Sequence, residues 1–234
     1  MKRFFRGCGY CVILLLVLFA GLFVFATIME FHWDRDAYDS SCPSNLKQIS
    51  LAIFMYDQDY DDKLPPAIFP GKTVGWANGL QPYTKSYALF QCPLEPYNQQ
   101  KYNSLATKIR ILTGIYPHHE KAPAPNQPRF TSYWLNSNIA GLADKDVVDP
   151  SRLIILGDGD GNSPESTASY AINHLPSAWI QLPDSPAKRH LGGANYAFAD
   201  GHVKWLKPNL KPDPNDSSTL SINQKKWGFT FLNK

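Results

Sequence analysis

Beyond its first six residues the chain has no surplus of charge. Three of its 23 basic residues, Lys2, Arg3 and Arg6, precede the first acidic residue, Glu30, which leaves 20 basic against 20 acidic side chains over residues 30–234. A neutral body lacks the electrostatic footprint that a nucleic-acid backbone requires, so nucleic acid is excluded as a partner. The common catalytic signatures are also missing: there is no Gly-x-Ser-x-Gly elbow, no phosphate-binding glycine loop and no His-Glu-x-x-His helix. Without a complete catalytic set, the chain reads as a protein other than an enzyme. It has no internal repeat. What it does have is 44% hydrophobic content in 234 residues, enough for one compact domain plus an accessory segment and too much for a disordered chain. Nineteen prolines and 15 glycines point to a loop-rich fold.

Gly7 to Met29 is a run of 23 residues without a charge, and Val12 to Ile28 is almost purely Leu, Val, Phe and Ile. At about 1.5 Å per residue a helix of that length spans the roughly 30 Å hydrocarbon core of a bilayer. Three cations precede the run, and Glu30, Asp34, Asp36 and Asp39 follow it, so the positive-inside rule leaves the N-terminus in the cytoplasm. The expected organisation is a cytoplasmic N-terminus over 1–10, a transmembrane helix over 11–29 and an exported domain over 30–234. That makes a single-pass protein of the inner membrane. A cleaved secretory signal competes with this reading, because Val24 and Ala26 sit where a signal peptidase takes small residues; the apolar run exceeds the usual signal core, which favours a retained anchor.

Cys42 and Cys92 fall on the exported side, each followed directly by proline. They read as a disulfide pair, whose closure of a loop of about 50 residues would stabilise the domain by about 4 kcal/mol. Two buried free thiols are the alternative. Cys8 and Cys11, at the cytoplasmic membrane edge, read as filler or acylation sites.

After the membrane segment, Cys42, Leu46, Ile49, Ile53, Tyr56 and Tyr60 recur in steps of three and four, the stripe of an amphipathic helix. Ser40 or Ser41 would cap it and Pro43 would fit its first turn, so a kink or break is expected there. Asp57, Asp59, Asp61 and Asp62 form a solvated acidic end. The remainder reads as short strands at Thr131–Leu135, Leu153–Leu156, Asn195–Phe198, Val203–Leu206 and Trp227–Leu232, with Asp200-Gly201 turning a tight hairpin. Tyr116–Phe130 and Pro208–Asp216 read as proline-rich loops. The expected fold class is α+β: a transmembrane helix and an amphipathic helix packed on a small antiparallel sheet.

Within Arg189-His190-Leu191-Gly192-Gly193-Ala194-Asn195-Tyr196-Ala197-Phe198-Ala199-Asp200-Gly201, nine residues separate His190 from Asp200-Gly201. This resembles the H-X9-DG domain of bacterial prepilin-like proteins. Cys42-Pro43-Ser44-Asn45-Leu46-Lys47-Gln48-Ile49 through Tyr60 is similar to the helix that follows the membrane segment in that family. Trp76 through Pro82-Tyr83 to Phe90-Gln91-Cys92-Pro93 is similar to its middle motif, and Pro150-Ser151-Arg152-Leu153 through Asp158 to the strand before its final hairpin. The resemblance implies a pilin-like head, His190, Asn195, Asp200 and Gly201 as motif residues, and association with components of a secretion or pilus-like apparatus. One departure stands out. Where the family carries a glutamate soon after its glycine cleavage site, this chain has Leu14 after Gly9 and Val12 after Gly7. A fixed anchor carrying a prepilin-like head fits better than a processed, polymerising subunit.

Asp158-Gly159-Asp160-Gly161-Asn162 places oxygen ligands on alternate residues of a glycine-rich loop, the donor type a hard cation needs, so Asp158, Asp160 and Asn162 are the candidate calcium ligands; a plain Asx-rich turn is the other reading. His190, Asp200 and His202 would form a metal or acid–base cluster if the hairpin folded back; the better account is that His190 and Asn195 fasten the hairpin entry by hydrogen bonds while Asp200-Gly201 makes the turn. His118-His119 has no carboxylate at ligand spacing. Trp76, Trp134, Trp179, Trp205 and Trp227 read as core residues, with a carbohydrate-binding face as the alternative. The expected function is assembly or protein contact by a membrane-anchored, pseudopilin-like protein. The alternatives are a calcium-dependent glycan- or cell-wall-binding module and a metal-dependent hydrolase.

Overall fold

The structure, a computed structural model, describes residues 2–71, 74–95, 124–127, 129–180, 185–207, 209–213 and 216–221, with side chains omitted for 2–12, 27–39, 180, 209–213 and 216–221. The expected strand at Trp227–Leu232, most of the Tyr116–Phe130 loop, His118-His119 and the side chains of Cys8 and Cys11 lie outside the described residues. The chain divides into two compact units, Met1–Ser40 and Ser41–Lys234.

Helix α1 (Lys2–Asp59) begins in the first unit. All of its described side chains there, from Ile13 to Ala26, are exposed. Among the described residues no helix is long and apolar enough to cross a membrane; the expected span over 11–29 runs past those side chains at both ends. The expected break at Pro43 does not occur, since Pro43 lies inside α1. Proline in a helix interior costs about 3 kcal/mol, whereas each fully buried apolar side chain contributes about 1.5–3 kcal/mol. Leu46, Ile49 and Ile53, all at 0% exposure, together outweigh it. Cys42 and Tyr56 complete the buried stripe, while Tyr60 lies past the end of α1 and is exposed. Asp61 and Asp62 end the helix in the left-handed region, at φ 56° and 53°, and the Asp62 N–H donates back to the Asp57 carbonyl at 3.0 Å. Contrary to a wholly solvated end, Asp57 is buried, and Asp59 accepts from the Tyr83 hydroxyl at 2.8 Å.

In the second unit two short helices, α2 (Trp76–Gly79) and α3 (Gln81–Thr84), lead to a 3₁₀ turn at Tyr87–Phe90. Strands follow as β1 (Tyr133–Asn136), β2 (Ile154–Asp158), β3 (Ala171–Ile172), β4 (Leu175–Pro176), β5 (Ala194–Phe198), β6 (Val203–Leu206), β7 (Asn209–Asp213) and β8 (Asp216–Ser221). The main sheet has the order β3-β1-β2-β5-β6. It is mixed where an antiparallel sheet was expected: β3 pairs parallel to β1, joining Leu135 to Ala171 and Asn136 to Ile172. A second sheet has the order β4-β8-β7. The Pro208–Asp216 stretch, expected as a loop, supplies β7. Its Pro212 sits at a register shift on an edge strand, where the missing N–H breaks no regular ladder.

Strands β1, β2 and β5 are buried along their whole length because the main sheet separates two cores. On one face Tyr133, Leu135, Ile155 and Ala197 join Cys42, Leu46, Ile49 and Ile53 of α1. On the other, Trp134, Ile154, Tyr196 and Phe198 meet Leu175, Trp179 and Leu206. Side chains alternate between the two cores along β1 and β5, whereas in β2 Ile155 and Leu156 both join the α1-side core, at the register shift between Ile154 and Leu156. Between α1 and the sheet, the crevice lined by Ile53, Leu64, Leu135 and Ile155 leaves no room for a water molecule.

Candidate functional site

Four elements of the second unit converge on one buried point. Cys42 comes from α1, Cys92 from the loop after the 3₁₀ turn, Asp158 from the end of β2, and His190 from the loop that enters β5. One donor atom from each lies within 4.8 Å of all the others. Cys42, Cys92 and Asp158 are at 0% exposure and His190 at 2%. His190 Nε2 is 3.6 Å from Cys92 Sγ and 3.3 Å from Asp158 Oδ2. Asn195 donates its backbone N–H at 2.6 Å and its side-chain amide at 3.1 Å to that same oxygen, which fixes the carboxylate. Asp158 Oδ1 is buried without a hydrogen-bond partner. The Trp205 indole donates to the His190 carbonyl at 2.6 Å, and His190 bridges to Gly193, so the histidine is held by its backbone as well.

A second charged pair lies alongside. Arg189 Nη2 donates to Glu95 Oε1 at 3.2 Å and to the Gly159 carbonyl at 3.0 Å. Glu95 also accepts from the Gly161 N–H at 2.5 Å and from the Ser132 hydroxyl. Burial pushes the Glu95 carboxyl up against the pull of Arg189 and Ser132.

Burial disfavours charge on His190, but the Asp158 carboxylate and Cys92 override it and hold the imidazole above its ordinary value. Burial likewise pushes the Cys92 thiol up, yet hydrogen bonds from Cys42 and His190 and the nearby Arg189 charge bring it below the ordinary range. Cys42 moves the opposite way, raised by its hydrogen bond with Cys92 and by burial. A thiolate beside an imidazolium is nucleophile chemistry, but a nucleophile must also be reached by its substrate. At 0% exposure Cys92 cannot be.

Several sequence expectations change here. Cys42 and Cys92 come together as two buried thiols that are not joined in the expected disulfide. Each sulfur has another neighbour: His190 Nε2 meets Cys92 at 3.6 Å, and the Tyr133 phenol, whose oxygen accepts from Asn45 Nδ2 at 3.3 Å, lies near Cys42. The three candidate calcium ligands face different partners. Asp158 serves His190 and Asn195, Asp160 Oδ1 accepts from the Asn162 N–H at 3.0 Å as in an Asx turn, and Asn162 is exposed. His190 does not cluster with Asp200 and His202. Those two form their own exposed pair, His202 Nδ1 to Asp200 Oδ1 at 2.6 Å, with the His202 ring stacked on Phe198. Gly201 takes φ +82° and its N–H donates to the Phe198 carbonyl at 2.8 Å, so the hairpin turns through a three-residue loop with a left-handed glycine. Trp76, Trp134 and Trp179 are buried core residues, and Trp205 is 45% exposed.

Comparison with protein-family models, with curated proteins and with solved structures finds no match for the chain. The four-residue cluster was not legible in the sequence as one site. Its members were divided among a cysteine pair, an Asp-Gly loop and a histidine motif, and their spacing has none of the short ligand pairs that mark a metal site.

Proposed function

We propose that the chain is a membrane-anchored, pseudopilin-like protein whose exported α+β head acts by assembly or protein contact, with components of a secretion or pilus-like apparatus as partners. The observation that carries this reading is the first half of α1. From Ile13 to Phe25 its large side chains are apolar on every side of the helix and 55–72% exposed, Phe19 most of all at 72%. A helix hydrophobic all round is stable only in a buried or lipid environment. The uncharged run from Gly7 to Met29 and the cations before it support insertion with the N-terminus in the cytoplasm. The head supports contact over catalysis, since its most reactive groups are sealed from solvent and the exposed Asp200–His202 pair sits on a turn. The ordered motifs from Cys42 to Gly201 support the pilin-like assignment.

The test is the intact mass and N-terminal sequence of the protein extracted from native membranes after a carbonate wash, with protease added from the exported side. The expected result is a carbonate-resistant chain starting at Met1 or Lys2 whose head is digested. A start just after Gly7 or Gly9 would shift the reading to a processed, filament-forming subunit. A start near Thr27 with the protein in the soluble fraction would overturn the anchor.

A further inference from the structure

We propose that Cys42, Cys92, Asp158 and His190 form a closed, structural zinc site that fastens the Ser41–Asp59 part of α1 to the sheet. The donor set is two sulfurs, one imidazole nitrogen and one carboxylate oxygen, which suits zinc in its tetrahedral structural sites. The spacing fits as well. With Zn–S of about 2.3 Å and Zn–N and Zn–O of about 2.1 Å, tetrahedral ligation puts sulfur and nitrogen about 3.6 Å apart, and nitrogen and oxygen about 3.4 Å apart. The observed separations are 3.6 Å for Cys92 Sγ to His190 Nε2 and 3.3 Å for His190 Nε2 to Asp158 Oδ2. All four donor atoms lie within 4.8 Å of one another, against about 3.8 Å for two sulfurs on one tetrahedral zinc, so binding the ion draws the widest pair together by up to about 1 Å.

The metal-free arrangement leaves debts that a cation settles. His190 Nε2 carries one proton or one lone pair, yet it faces a sulfur and a carboxylate oxygen together and can satisfy only one of them well. Asp158 Oδ1 is buried with no partner, which is costly for a charged group; a cation held through Oδ2 lies against the same carboxylate and offsets that cost by charge, without bonding Oδ1. A dication among the four donors turns the competing lone pairs into ligands. The supporting shell is already built: Asn195 orients the Asp158 carboxylate through two hydrogen bonds, the Tyr133 phenol lies on Cys42, and the buried Arg189 cation stands close enough to act on both sulfurs and on Asp158. Exposure of 0–2% at all four residues leaves no open coordination position, so the ion is structural and not catalytic.

The test uses the full-length chain carrying Cys8→Ser and Cys11→Ser, purified in detergent without chelator, with metal content, non-reduced intact mass and thiol alkylation measured on one sample. The expected result is about one zinc per chain, both remaining thiols protected from alkylation until a strong chelator is added, and a lower melting temperature after chelation. Exchange into cobalt(II) should give the intense visible bands of tetrahedral thiolate ligation. Cys92→Ser should abolish the cobalt bands and lower zinc retention at least tenfold. Should that variant fail to fold, the cobalt spectrum of the parent still decides the matter. The proposal is overturned by a mass two hydrogens lower, which is the Cys42–Cys92 disulfide, by two free thiols without zinc after loading with excess metal, or by zinc retained in Cys92→Ser.

Discussion

Glu95 is 5% exposed and carries the only carboxylate ion-paired with Arg189 among the described residues. Arg189 is just as enclosed, and its Nε and Nη1 already lack hydrogen-bond partners. The pair is a poor guide to net stability, because both charges were stripped of water to form it; breaking it is another matter, since the guanidinium would stay buried with no counter-charge. Glu95→Ala is therefore expected to cost about 3–5 kcal/mol in the unfolding of the detergent-solubilised chain. Glu95→Gln keeps the Gly161 and Ser132 contacts and should fall between the two. Equal melting temperatures for the parent and Glu95→Ala would show that the side chain is solvated in solution. Tyr196 presents the reverse case. Its ring fills the core, but its hydroxyl is buried without a partner. Tyr196→Phe removes an unsatisfied polar group and keeps the packing, so it is expected to be neutral or to stabilise by about 1 kcal/mol near pH 7. A clear loss of stability in a chemical denaturation curve would mean that the hydroxyl has a partner after all.

At the scale of elements, α1 distinguishes its faces sharply. Ile49 is fully buried against the sheet while Leu51, two positions on, is 49% exposed. Ile49→Ala is expected to cost about 2–5 kcal/mol and Leu51→Ala no more than about 0.5 kcal/mol, read as shifts in the denaturation midpoint. Similar losses at both sites would contradict the face assignment. In β2 the tight point is Gly157, where an added Cβ would lie 2.5 Å from the Trp134 ring and 2.8 Å from that of Tyr196. Both rings belong to the packed core, so Gly157→Ala should destabilise by about 1–3 kcal/mol through overpacking, and an unchanged melting curve would show that the rings can retreat. These elements differ in how far the sequence announced them. The α1 stripe was readable because a period of three and four survives in any single helix, and the β5–β6 hairpin because Gly201 marks its turn. Strand β3 was not: two residues long and parallel to β1, it owes its existence to its partner and not to its own propensity. Strand β7 was hidden by Pro212, which reads as a loop signal unless its edge position is known. The cysteine–histidine–aspartate cluster has no local signature, since four separate elements must fold before its donors meet.

Across the whole head, the dominant buried titratable groups on the side of the sheet away from α1 are phenols. Tyr170 and Tyr196 are 5% and 0% exposed, and burial raises the ionisation of both above the ordinary tyrosine value, reinforced at Tyr196 by the Asp158 charge. On the α1 side, half-buried Tyr83 is raised to about 12 by desolvation and by its hydrogen bond to Asp59. The sign follows from proton counting. Below about pH 10 these phenols are protonated in the folded and the unfolded chain alike, and they confer no pH dependence. Above it the unfolded chain loses the protons first, because only the folded chain holds them past the ordinary value. Unfolding then releases protons, and stability falls with rising pH at up to about 2.7 kcal/mol per unit for the two enclosed phenols together. A head of ordinary stability should therefore unfold cooperatively in alkali, with phenolate absorbance from these residues rising together with the loss of tertiary structure. Melting temperatures between pH 9 and about pH 11.5 should fall steeply in the parent and less steeply in Tyr170→Phe/Tyr196→Phe. A flat melting profile, or a full phenolate titration centred near pH 10 while the fold persists, would mean that both rings open to water without unfolding and that the second core is looser than its packing implies.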